Sequence, residues 1–352
     1  MQRILFTILA VGFLVSCKTN QAPKPQYIDL TALEGDGDKV MPKYLGSITS
    51  NELQELLYVY ASDEFEGRNT GEPGQKKAVA FLRDHYKDLN VPSGTTDDTY
   101  FQIVPETYFR KNSGIKASEN VLAYIKGSEK PDEVLVISAH LDHVGVNDNG
   151  EVYNGADDDG SGTVALLEIA EAFQMAIQDG YTPKRSILFL HVTGEERGLY
   201  GSRFYTENPV YALENTIANL NIDMIGRNDK DHKEDNNYVY LIGSDKLSTD
   251  LHNISAAINK KYMDINLDYR YNDENDPNRF YYRSDHYNFA KNNVPVIFYF
   301  NGVHEDYHKV TDTPDKINYP LLTKRTQLIF ATAWELVNRK ERPVVDKAKT
   351  TP

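Results

Sequence analysis

Three short apolar runs, 133–139, 186–192 and 217–222, each lead within three residues to a histidine or a carboxylate. Their length and their Val, Ile, Leu and Phe content are those of central strands covered on both faces. Such strands need helices on both sides of the sheet, and chemistry in open α/β sheets sits in the crevice at the strands' carboxyl ends. The chain is therefore expected to gather His140-Leu141-Asp142-His143, Glu195-Glu196 and Asn221-Ile222-Asp223 along one edge, joined by the glycine-flanked Asp157-Asp158-Asp159.

Apolar spacing predicts helices over 50–60, 74–89, 161–178, 199–205, 247–262, 285–291 and 321–339, with Ser50-Asn51-Glu52 as an N-cap signal. Further strands are expected over 120–126, 238–242 and 294–300. The link 127–132 is rich in turn residues and of hairpin length, so 120–126 and 133–139 are expected to pair as a hairpin. This alternation predicts an α/β fold, a three-layer α/β/α domain on a central mixed, largely parallel sheet. No internal repeat and no composition break marks a second folded domain.

The 352 residues carry 38 basic against 52 acidic side chains, a net charge of −14, which argues against a nucleic-acid partner. At the N-terminus, Arg3 precedes an apolar stretch that ends in Leu14-Val15-Ser16-Cys17. This is the pattern of a secretory signal, too short to span a membrane as a helix, and it resembles a bacterial lipobox. Cys17 is the only cysteine, so no intramolecular disulfide can form. The expected organisation is a lipoprotein signal over 1–16, a Pro- and Gly-containing tether over 17–45, a catalytic domain over 46–340 and a mobile tail over 341–352. Lipid on Cys17 would then anchor the exported chain to a bacterial membrane, facing the periplasm or the cell surface. Nothing in the sequence sets an oligomeric state.

Two divalent ions about 3.5 to 4 Å apart need a bridging carboxylate, a histidine and a carboxylate for the terminal positions, and a separate base for water. The sequence supplies that inventory, and imidazole and carboxylate without thiolate suit catalytic zinc. His140 follows a strand, and Asp142 is placed to accept its second ring N–H. A lone histidine at a strand end is more often a solvated cap; its acidic companions change the reading. Three adjacent aspartates open the helix at 161, and one suffices to cap it. Asp157, on the loop side, is the expected bridging ligand. Glu195 and Glu196, as neighbours, point in different directions, one available to metal and one to a proton.

The ordered set His140-Leu141-Asp142-His143, 155–162, Glu195-Glu196, Asn221-Ile222-Asp223 and 308–313 resembles the co-catalytic zinc exopeptidases of the bacterial leucyl aminopeptidase and aminopeptidase Y type, metallopeptidase family twenty-eight. The likeness extends over about residues 47–340, and Glu66-Gly67-Arg68-Asn69-Thr70-Gly71 is similar to that family's N-terminal region. It implies two zinc ions per chain, Asp157 bridging them, His140 and Asp223 completing one site and Glu196 and His308 the other. It also implies Glu195 as general base, Asp142 as support for His140, a cis Asp157–Asp158 peptide, and peptide substrates with a free amino terminus. His308 is preferred to His304 because Thr311-Asp312-Thr313 follows at the family's spacing. His143, Ser284 and His286 are read as structural. The segment 279–286 lacks the cysteine that some secreted members carry, which leaves the roles of Tyr281 and Tyr282 open. Two rival readings are a single-zinc acyltransferase of the glutaminyl cyclase type and a non-catalytic binding module of the transferrin receptor ectodomain type.

Overall fold

The computed structural model describes residues 25–26, 28–30, 37–233, 235 and 237–348. The signal region with Cys17 lies outside the described residues.

The centre of the sheet is formed by β3 (Lys130–His140), β4 (Arg185–Val192) and β5 (Thr216–Ile222), parallel to one another in the order β4-β3-β5. Every residue of β4 and β5 is buried, the polar Arg185, His191, Asn219 and Asn221 included, as in strands covered on both faces. Alternate side chains serve opposite faces. Leu135, Ile137 and Ala139 join the larger core cluster, while Val134 and Val136 join a second one.

The larger cluster lies under α1 (Gly37–Leu45), α2 (Ser50–Tyr60), α3 (Pro73–Asp88), α4 (Gly162–Gln178), α6 (Thr249–Ile258) and α8 (Tyr319–Asn338). On the opposite face lie α5 (Tyr200–Glu207) and α7 (His286–Ala290), through Tyr205 and Phe289. The three layers are those expected. Outer strands β1 (Phe101–Val104), β2 (Ser118–Ile125), β6 (Tyr238–Ile242), β7 (Asn266–Asp268) and β8 (Val296–Phe300) complete an eight-stranded mixed sheet in the order β1-β2-β4-β3-β5-β8-β6-β7.

Four expectations are corrected. The segments 120–126 and 133–139 do not form a hairpin, because β4 lies between β2 and β3. Their link crosses the start of β4, where Ser128 and Lys130 donate N–H to the carbonyls of Pro183 and Lys184. Gly127 permits this crossing, since a Cβ there would stand 2.5 Å from the carbonyl carbon of Arg185.

The cap of α2 is Thr49 rather than Ser50; its hydroxyl accepts the N–H of Glu52. Part of the supposed tether is α1, where Met41 and Tyr44 are buried and Tyr44 stacks on Trp334 at 5.7 Å. A nine-residue helix containing Pro42 gives little periodicity to read. The tail is docked as far as it is described. Lys347 donates its N–H to Leu247, and Asp346 accepts the N–H of Thr249.

Candidate metal centre

The turn between β3 and α4 carries the three aspartates, and their side chains diverge. Asp157 is spent on support: its carboxylate accepts the N–H of Gly226 at 2.6 Å and the hydroxyl of Ser161 at 2.9 Å, and faces His304 Nε2 at 3.1 Å. Asp159 accepts the backbone N–H groups of His140, Met224 and Gly162. Asp158 faces the centre with both oxygens. Its Oδ1 lies 3.2 Å from His140 Nε2, and its Oδ2 lies 3.0 Å from His308 Nε2 and 3.8 Å from His143 Nδ1.

Two groups therefore meet at Asp158. On one side His140 Nε2 also lies 3.6 Å from Asp223 Oδ1. On the other, Glu196 lies 2.9 Å from His143 Nδ1 and 3.1 Å from His308 Nε2. His140, Asp159 and Asp223 bring ligand atoms within 4.8 Å of one another, as do His143, Asp158 and Glu196. Asp159, with both oxygens accepting backbone N–H, is the less free member of the first group.

The sequence led to Asp157 as the bridging carboxylate; in the structure it is Asp158 that faces both groups. The structure also places the cis peptide at Asp158–Asp159, one residue later than expected. Among the described residues, His140 Nε2, both ring nitrogens of His143, Asp158 Oδ2 and Glu196 Oε1 are buried without a hydrogen-bond partner. Buried polar atoms are ordinarily satisfied, so imidazole and carboxylate atoms orphaned around one point fit a cation or a pair of them. The charge balance agrees. Burial opposes protonation of His308, yet Asp158 and Glu196 raise its imidazole to about 10, a proton standing where a metal would.

Several residues position this centre. His140 Nδ1 bonds the carbonyl of Asp142 at 3.0 Å, whereas the Asp142 carboxylate is 3.9 Å away. Asp142 thus supports His140 through its backbone, not through its side chain as expected. The carboxylate instead accepts the hydroxyl of Thr70 at 2.8 Å and the N–H of Glu195 at 3.1 Å. Arg68 is fully buried and donates to the carbonyls of Leu141, Asn154 and Gly155, tying the histidine loop to the aspartate turn. Asp312 accepts the N–H groups of Asp157 and Asp158.

Ser284 donates to Asp223 Oδ2 at 2.6 Å and accepts from Asn221, so it touches the centre rather than merely packing. His286 stacks on Phe298 and has its basicity lowered by burial, in keeping with its structural reading. His143, expected to be structural, belongs instead to the second group; the signal was its place one residue beyond Asp142. His308 and Met224 hold left-handed backbone, φ 53° and 59°, an arrangement seen where surroundings over-determine the chain.

A small mouth, of about 30 Å³, lies beside Asp158, Glu195 and Asp223 and is lined by Met224, Phe280, Phe298, Phe300, Val303, Tyr307 and Arg283. Burial pushes the Glu195 carboxyl well above its ordinary range. Tyr307 stacks on His308 at 3.9 Å. Tyr281 and Tyr282 line a different cavity, of about 850 Å³.

Comparison with known proteins follows the same lines. A vacuolar membrane protease of Tuber melanosporum is 31% identical over 173 residues, 48% of this chain but 15% of that protein. The chain thus matches a small part of that relative's length. A zinc aminopeptidase from Bacillus subtilis superposes with a TM-score of 0.65 at 15% identity, covering 86% of this chain and 99% of that one. A glutaminyl cyclase from Bacteroides thetaiotaomicron bound to N-acetylhistamine gives 0.60 at 15% identity, covering 84% and 99%. Both likenesses show the fold alone. The sequence model of peptidase family M28 matches residues 120–333, and with the ligand-bearing strand ends inside that span the chain belongs to this family.

Proposed function

We propose that the protein is an aminopeptidase with two zinc ions, held by His140 and Asp223 on one side and Glu196 and His308 on the other, with Asp158 between them. The observation that carries this reading is the two-sided exposure of Asp158, whose oxygens face different imidazoles at 3.2 and 3.0 Å. His143 Nδ1 stands beside this second pair, 2.9 Å from Glu196.

Bound zinc supplies a lowered water pKa and a polarised carbonyl. Glu195 lines the mouth without facing any of the imidazoles closely. It takes the proton of the attacking water and delivers it to the leaving amine. Asp142 and Thr70 fix the backbone that carries it. The carboxylates at the mouth draw the substrate's ammonium group, which favours hydrolysis at a free amino terminus.

A panel of aminoacyl chromogenic amides and their N-acetylated counterparts, with and without a zinc chelator, tests this. Cleavage of the free-amine compounds alone, lost on chelation and restored by zinc, supports it. Cleavage of acetylated compounds, or insensitivity to chelation, overturns it. The fold is shared with a glutaminyl cyclase, so the same protein incubated with an N-terminal glutaminyl peptide decides that alternative by the mass loss of ammonia.

We also propose that Cys17 is lipidated and that the exported domain stands off a bacterial membrane, facing the periplasm or the cell surface. The support is Leu14-Val15-Ser16-Cys17 and the Pro- and Gly-containing stretch after it. Mass spectrometry of the mature N-terminus from the native host tests this. A chain that begins elsewhere without lipid removes the anchor and leaves the catalytic reading intact.

A further inference from the structure

The mouth of the site is bounded by Asp158, Glu195 and Asp223 and by an aromatic wall, and among the described residues a single cationic side chain, Arg283, lines it. Arg283 is exposed, and among the described residues its guanidinium forms no ion pair. Its contact is with the ring of Phe280, 5.0 Å from guanidinium carbon to ring centroid. The arginines packed elsewhere around the centre are engaged: Arg68 with backbone carbonyls, Arg227 with Asp306 and Arg197 with Asn69.

A guanidinium stacked on an aromatic ring uses its face and leaves its N–H edge free, and that edge matches a carboxylate in bidentate geometry. In a chain of net charge −14, with acidic residues crowded at the centre, an anionic group on a substrate meets repulsion unless a cation is placed for it. Arg283 lines the cavity that also touches Asp158, Glu195 and Asp223. The Phe280 ring under the guanidinium holds its plane, so the contact offered to a carboxylate is geometric, a fork at the edge of the cavity.

We propose that Arg283 recognises a carboxylate of the substrate, so that the enzyme selects peptides bearing a carboxylate near the scissile bond. This rests on the peptidase reading above. The carboxylate has two possible sources, an acidic N-terminal side chain or the free carboxyl end of a short peptide, and the experiment separates them.

Two substrate pairs are compared by kcat/KM: glutamyl against glutaminyl p-nitroanilide, and leucylglycine against leucylglycinamide. The wild type is expected to favour the carboxylate in one pair by at least about tenfold, the scale of a charge-assisted recognition contact. In Arg283→Met that ratio falls to near one, and in Arg283→Lys it is intermediate because the fork is lost. The first pair identifies an acidic side chain, the second a free carboxyl terminus. A ratio near one in both pairs for the wild type, or a ratio that survives Arg283→Met, overturns the proposal.

The same four compounds are titrated calorimetrically into Glu195→Gln protein. Tighter binding of the carboxylate member, lost in the double variant with Arg283→Met, upholds carboxylate recognition even if no compound is hydrolysed, in which case only the peptidase reading fails. Equal binding within both pairs overturns carboxylate recognition.

Discussion

The backbone N–H of Glu195 donates to the carboxylate of Asp142 at 3.1 Å, so the loop after β4 is held by the loop after β3. Asp142 also offers its carbonyl to His140 Nδ1. One residue thereby sets the His140 ring and the Glu195 backbone, through different atoms.

Replacing the side chain separates these two tasks. Asp142→Ala removes the acceptor for Glu195 and Thr70 but leaves the carbonyl for His140. Activity is expected to fall about 10- to 100-fold, the usual range for groups that orient a metal centre, with zinc content retained. Steady-state kinetics beside elemental analysis checks this; loss of zinc in step with activity would point to support of His140 by the carboxylate.

Glu195 and Glu196 are adjacent in sequence but differ in surroundings. Glu195→Gln is expected to keep its zinc and lose at least about 10²-fold in turnover, the low end for general-base catalysis. Glu196→Gln is expected to shed metal, because Glu196 is the carboxylate shared by His143 and His308. Equal zinc loss in both variants would reverse the assignment.

The bridge is tested by Asp158→Asn against Asp157→Asn. On the proposed two-zinc centre, Asp158→Asn is expected to lower zinc per chain from about two to below one, since the carboxylate facing both groups is removed. Asp157→Asn keeps an acceptor oxygen for Gly226 and Ser161 and is expected to retain more metal. Inductively coupled plasma measurements after gel filtration rank the two; the opposite order would return the bridge to Asp157.

Away from the centre, Glu168 on α4 is almost fully buried. Burial, then the charges of Glu52 and Glu171, raise its carboxyl from 4.5 to about 8. A folded pKa raised above the unfolded value gives stability that is whole below pH 4.5 and is lost as pH rises through about 8. Glu168→Gln is therefore expected to stabilise the fold by about 1 to 3 kcal/mol at pH 8 and by nearly nothing at pH 4.5. Thermal unfolding at the two pH values reads the difference; an equal gain at both would assign it to packing instead of charge.

The sequence alone determined the layer architecture and the kinds of residue at the centre. Buried parallel strands demand mostly apolar runs, and the first ionisable residue after such a run marks its end, which is how His140 and Asp223 were legible. Helix periodicity was equally direct for α4 and α8, whose apolar faces are long.

Only the tertiary structure decided which aspartate faces both His140 and His308. Periodicity assigns side-chain direction in helices and strands, but Gly155, with φ 54°, and Asp158 and Asp159, with non-helical torsions, form an irregular turn without a period. Its course is set by distant partners, the Asp312 carboxylate and the Gly226 N–H, more than sixty residues away in sequence. The same holds for β4 entering between β2 and β3, and for Asp142 reaching Glu195 rather than His140 with its carboxylate. Each depends on which backbone N–H groups long-range folding brings near, and that information does not lie in local spacing.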